Sequence, residues 1–148
     1  MWILRRLKKM GMSRAFMVDV FIKEVRSVLE GAAVPVWNGA LTKAQVSAIE
    51  RVQKTALYII LDKYYVSYEE ARTLVGLETL ELRREELCLN FARKNLKSSD
   101  SLFTKTKSKL NIRNMSAKKQ PLVMEYLCQT KRFEKSSLPY LAKLLNAS

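Results

Sequence analysis

Among residue types that do chemistry, the most informative is a missing one: the 148 residues include no His. There is therefore no Ser-His-Asp or Cys-His nucleophile pair. There is no His-ligated zinc and no two-His-one-carboxylate iron site either. Cys88 and Cys128 stand 40 positions apart, which is no zinc spacing and requires no pairing. Without a secretory context, two reduced, buried thiols are expected. The aspartates Asp19, Asp62 and Asp100 are remote from one another, so no two-metal carboxylate site is visible. Glu69-Glu70 and Glu85-Glu86 lie among arginines, where solvated helix pairs are the ordinary use. Tyr64-Tyr65 with Tyr68 can be read as base-stacking residues or as packing residues with a wet hydroxyl. Trp37 beside Pro35 reads as a core plug. Four Gly and three Pro supply neither a Gly-rich nucleotide loop nor the turns of an all-β chain. The expectation is no catalytic residue, no metal and no cofactor.

What remains is positive charge: 27 Lys and Arg against 14 Asp and Glu, net +13. Residues 1–14 carry +5, residues 15–92 carry −2, residues 93–119 carry +8 and residues 120–148 carry +2. Two concentrated basic blocks flanking a nearly neutral body point to an anionic partner, nucleic acid being the commonest. A solvated Lys/Ser tail that binds nothing specific is the alternative. The candidate binding residues are Arg5, Arg6, Lys8 and Lys9 in the first block. In the second they are Lys105, Lys107, Lys109, Arg113, Lys118 and Lys119. On a helical period Arg5, Lys8 and Lys9 share a face, while Leu4, Leu7 and Met10 lie toward another that can dock on the body. A row of cations at phosphate spacing gives affinity with a steep salt dependence. No base-reading element accompanies it, so little sequence specificity is expected.

These residues need elements to hold them, and the periodicity predicts helices throughout. Residues 2–10 form a short one, stopped by Gly11. Ser13 caps a second that runs to about Leu29, with Met17, Val20, Phe21, Val28 and Leu29 on one face. Residues 32–39 read as a connection, because Pro35 opposes a continued helix and Asn38-Gly39 signals a turn. Thr42 with Gln45, and Ser67 with Glu70, are capping boxes. The first opens a helix with Val46, Ile49, Val52, Ala56, Leu57 and Ile60 in register. The second opens a short helix ending at Gly76. Thr79 caps a helix over about 80–97, with Leu80, Leu87, Cys88 and Phe91 in one stripe. Leu82, Leu89 and Leu96 form a second stripe at heptad spacing. It is either a docking face for a helical partner or self-association, or a stripe buried between neighbouring helices. Residues 98–120 read as a basic flexible linker rather than a core element, and 121–148 as a C-terminal helical segment. The expected fold is all-α: a bundle of about five helices over 1–97, the linker, and a C-terminal helical hook. No apolar run is long enough for a membrane span, and residues 1–6, with no long apolar run after a basic stretch, are not expected to act as a signal peptide. An Arg-rich, acid-poor start also suits a mitochondrial presequence.

The ordered series of short segments resembles the thumb and post-thumb region of non-LTR (LINE-like) retrotransposon reverse transcriptases. It begins with Trp2-Ile3-Leu4-Arg5-Arg6-Leu7-Lys8-Lys9-Met10-Gly11 and continues through Val25-Arg26-Ser27-Val28-Leu29-Glu30 and Val34-Pro35-Val36-Trp37. Ile49-Glu50-Arg51-Val52-Gln53-Lys54, Glu69-Glu70-Ala71 and Leu77-Glu78-Thr79-Leu80 extend it, and Arg132-Phe133-Glu134-Lys135 through Leu144-Leu145-Asn146 close it. The resemblance implies a C-terminal fragment of an RNA-directed DNA polymerase. The palm, with its Tyr-x-Asp-Asp turn, lies upstream in that family and has no counterpart here. The implied activity is a non-catalytic grip on template–primer backbone in RNA, DNA or RNA–DNA hybrid, in the nucleus or cytoplasm and not in a secreted compartment. Segments of this kind also resemble a region described as an N-terminal domain of AlkB-type homologues. Without His, and without a Gly-rich S-adenosylmethionine loop, neither dioxygenase nor methyltransferase chemistry is expected. A protein-interaction module and a decayed retroelement remnant are the alternatives.

Overall fold

Side-chain oxygens set where the helices begin. Ser13 Oγ accepts from the Phe16 amide at 3.3 Å, Ser67 Oγ from Glu70 at 3.2 Å, Thr79 Oγ1 from Leu82 at 3.2 Å and Thr130 Oγ1 from Phe133 at 3.2 Å. Thr42 and Gln45 complete a reciprocal box: the Gln45 amide donates to Thr42 Oγ1 at 3.3 Å and the Thr42 amide to Gln45 Oε1 at 2.9 Å. Each cap satisfies a backbone donor that the first helical turn leaves open.

The computed structural model describes residues 1–31, 33–98, 102–103 and 122–147. Among these the chain is all-α, with no strand. The order is α1 (Trp2–Lys9), α2 (Arg14–Val20), a π-helical stretch (Phe21–Arg26), α3 (Ser27–Leu29), α4 (Val34–Trp37), a 3-10 turn (Asn38–Ala40) and α5 (Lys43–Leu61). A second 3-10 turn (Asp62–Tyr64), α6 (Tyr68–Val75), α7 (Leu80–Lys97), α8 (Lys131–Glu134) and α9 (Ser137–Ala147) follow. There are more helices than about five for two reasons. The 14–29 helix is divided by its π stretch, and the 32–39 connection and the C-terminal segment coil into the separate short helices α4, α8 and α9. Pro35 lies in the first turn of α4, where its missing N–H costs nothing.

The chain divides into two units, Met1–Ala32 with Leu41–Arg84, and Ala33–Ala40 with Glu85–Ser148. In the first, Leu4, Met17, Phe21, Ala56, Leu57, Ile60 and Ala71 form the core. α1 packs on α2 and α5, and α5 on α6. The core sits at the C-terminal half of α5, while Val46, Ile49 and Val52 are only half-buried. Gln53 is fully buried there, donating through Nε2 to the Glu78 carbonyl at 2.7 Å and the Tyr68 hydroxyl at 3.1 Å. Val28 departs from its expected face and is 78% exposed. The wider π turns slip the register by about one residue, and Ser27 Oγ donates back to the Lys23 carbonyl. Glu30 turns inward instead, 3.6 Å from Arg26 and 3.4 Å from Arg83.

In the second unit Val34, Cys88, Ala92, Phe103, Val123, Leu141, Ala142 and Leu145 form the core, with Trp37 and Leu96 packed against it. Phe103 corrects the expectation that 98–120 contributes no core residue: it is 2% exposed. The buried stripe of α7 is Leu80, Arg84, Cys88 and Ala92 at i+4 spacing, and Phe91 is exposed. Asn146 pins the irregular segment after 121, accepting from the Val123 amide at 3.0 Å and donating to the Val123 carbonyl at 2.9 Å. Cys88 is buried, as expected, but Cys128 is half-buried, its thiol donating to the Tyr126 carbonyl at 3.3 Å.

Candidate functional site

α1 has two faces, and its docking decides which cations are available. Leu4 is fully buried in the first core and Leu7 packs at its edge. At about 3.6 residues per turn, Trp2, Arg5, Arg6 and Lys9 then point away from the body. With Met10 they line a surface hollow of about 410 Å³. Met10 does not dock with Leu4 and Leu7 as expected; it is 64% exposed, because it falls on the flank of the helix nearer Arg6. Lys8 also leaves the expected row. Its Nζ lies 3.0 Å from Asp62 Oδ1. Asp62 ends α5 with φ of +50°, the one non-glycine residue of positive φ among those described.

Arg5, Arg6 and Lys9 are exposed, and no carboxylate among the described residues pairs with them. The Arg6 guanidinium carbon sits 5.5 Å from the centroid of the Trp2 ring. Trp2 and Arg6 belong to this face by their i, i+4 spacing, a signal that grouping Trp2 with the apolar residues obscured. Arg14, at the start of α2, lies over the exposed Tyr64 ring at 3.9 Å. A second, mostly apolar hollow of about 480 Å³ opens beside Arg14, between Val18, Ile60, Leu61, Leu74 and Val75.

The other sequence-designated residues divide. Lys105, Lys107, Lys109, Arg113, Lys118 and Lys119 lie outside the described residues. Tyr65 packs edge-on against Tyr58, with ring centroids 5.4 Å apart. Tyr68 is bound into the Gln53–Glu50 network, where its hydroxyl donates to Glu50. Burial first, and then the Glu50 carboxylate, push its pKa well above the usual tyrosine value. Packing is thus the use of Tyr65 and Tyr68, while Tyr64 stays on the surface. Leu82 is 56% exposed, Leu89 half-buried and Leu96 packed on the second core, so the heptad stripe is not one continuous face.

No family profile, curated protein or solved structure matches this chain. Among the described residues no group of three or more His, Cys, Asp or Glu side chains is placed to hold a metal ion. None of their helices is long and apolar enough to cross a membrane. What the α1 face offers is charge without a partner: three cations on one side of a helix whose other side is anchored.

Proposed function

We propose that this chain is a non-catalytic nucleic-acid-binding segment, the counterpart of the helical thumb and post-thumb region that its sequence resembles in non-LTR retrotransposon reverse transcriptases. One observation carries the reading: Arg5, Arg6 and Lys9 line one exposed hollow on a docked helix with no carboxylate beside them. Anchoring by Leu4 means that these cations are presented in fixed register rather than on a free peptide, so less ordering is needed to meet successive phosphates. Contact is with backbone charge, so RNA, DNA and hybrid all qualify as ligands. The six cations between Lys105 and Lys119 add to the net charge that draws a polyanion in.

A salt titration of binding to a labelled RNA–DNA hybrid tests this. Each phosphate neutralised contributes roughly 0.9 to the slope of log K against log salt on a duplex. Replacing Arg5, Arg6 and Lys9 by Ala is expected to flatten that slope by about 2 to 3. Lys8→Ala, whose charge is already engaged by Asp62, changes it less. An unchanged slope in the triple variant rejects α1 as the grip.

A further inference from the structure

The α1 face carries one group that a phosphate grip does not use. Trp2 is 72% exposed, among the most exposed large apolar side chains of the described residues. It stands at i, i+3, i+4 and i+7 with Arg5, Arg6 and Lys9, in the same hollow. Arg6 lies over the ring and much of the indole surface stays open. A closed duplex turns sugar and phosphate outward and keeps its bases stacked inside, so an indole gains little by approaching it. An unpaired base offers a π-face, and an aromatic ring flanked by cations is the combination that binds single strands.

We propose that Trp2 is a stacking platform for an unpaired base, and that the α1 face prefers single-stranded nucleic acid to closed duplex. This rests on the phosphate-grip reading of the same face and adds what lies between the phosphates. Arg5 and Lys9 take the backbone on either side of the stacked nucleotide, and Arg6 holds the indole from the other face. The chemistry is reversible stacking and ion pairing; no bond is made.

The test measures the full chain against a labelled oligouridine RNA strand, a duplex DNA of equal length and phosphatidylserine vesicles. The variants are Trp2→Leu, Trp2→Phe and the Arg5/Arg6/Lys9→Ala triple. Because Trp2 is exposed, its replacement leaves the helical circular dichroism intact, which is checked first. Trp2→Leu is expected to weaken single-strand binding about tenfold, the scale of one base–aromatic stack, and duplex binding less than about twofold. Trp2→Phe retains most of the single-strand affinity, which an apolar-cover role for Trp2 would not require. Equal weakening on single strand and duplex, or no weakening on either, overturns the stacking role. So does a Trp2→Leu loss seen only with vesicles, which makes the face a membrane-surface contact. If Trp2→Leu is silent while the triple variant still loses binding, stacking fails and the grip stands. If the unaltered chain binds neither nucleic acid, both readings fail together.

Discussion

The two units are assembled from different kinds of information. The first is built from helices whose starts, stops and apolar faces are written locally: Ser13, Thr42, Ser67 and Thr79 open them, and Gly76 closes α6 in the left-handed conformation. The second gathers residues that are remote in the chain. Val34 and Cys88 meet Phe103, Val123 and Leu145 in one core, and Asn38 Nδ2 donates to the Tyr140 hydroxyl at 2.9 Å across 102 positions. A local signal can be read before the fold is known; a meeting of distant residues cannot.

The largest effect that sharpens this contrast lies at two adjacent residues. Phe103→Ala removes a fully enclosed ring and is expected to cost about 3–5 kcal/mol, the usual cost of an aromatic cavity, by urea denaturation. Leu102→Ala, half-exposed beside it, should stay within about 0.5 kcal/mol. Phe21→Ala in the first core belongs with the large values. If Phe103→Ala proved as mild as Leu102→Ala, residue 103 would be the linker residue its basic surroundings suggest.

A smaller pair separates two uses of glycine. At Gly76 an added Cβ meets nothing within 4 Å, but φ is +70°. Gly76→Ala should therefore cost about 1 kcal/mol, the strain of a left-handed Ala. Gly39 is constrained by space: a Cβ there falls 2.6 Å from Tyr140 Cγ and 3.0 Å from the Lys135 carbonyl oxygen. Gly39→Ala should cost about 1–3 kcal/mol as an overpacking change. Combining it with Tyr140→Ala should recover only a fraction of that, because the Cγ contact goes with the ring while Tyr140 Cβ, 2.8 Å from the added methyl, stays.

That pair also shows how far the sequence can be read. Gly76 as a helix stop is legible because the reason is local. Gly39 looks like half of an Asn-Gly turn, and nothing in its neighbourhood announces Tyr140. The same division runs through the candidate site. The basic first helix and its apolar anchor follow from periodicity, and Leu4 is buried accordingly. The loss of Lys8 to Asp62 depends on where α5 ends, whereas Met10 leaves the anchor by its own helical phase, which carries it toward Arg6. The π stretch is a further local feature about which periodicity misleads. A template of 3.6 residues per turn carries Val28 onto the buried face, whereas one wider turn puts Glu30 there in its place.

The last effect is read by varying pH, and it distinguishes the polar ties of the units. Asn38–Tyr140 and Asn146–Val123 contain no carboxylate. In the first unit Tyr68 donates to Glu50, which also accepts from the Leu80 amide at 3.1 Å at the start of α7. Ionising Tyr68 would remove that donor and set a second negative charge beside Glu50. The folded protein therefore holds the phenolic proton more tightly than the unfolded chain does. A group whose folded pKa is raised contributes stability that is complete below its unfolded value, about 10 for tyrosine, and is lost as pH rises through the folded one. Tyr68→Phe should be less stable than the parent chain near neutral pH, by about 0.5–1.5 kcal/mol for each of the two hydrogen bonds its hydroxyl makes, to Glu50 and from Gln53. The gap should close as pH climbs above about 10, because only the parent has this proton to lose. Urea midpoints of the two proteins between neutral and strongly alkaline pH read the gap directly. A gap that stays constant means the hydroxyl serves packing alone. A gap that closes ties the Glu50–Tyr68 contact, and with it the start of α7, to the protonated phenol.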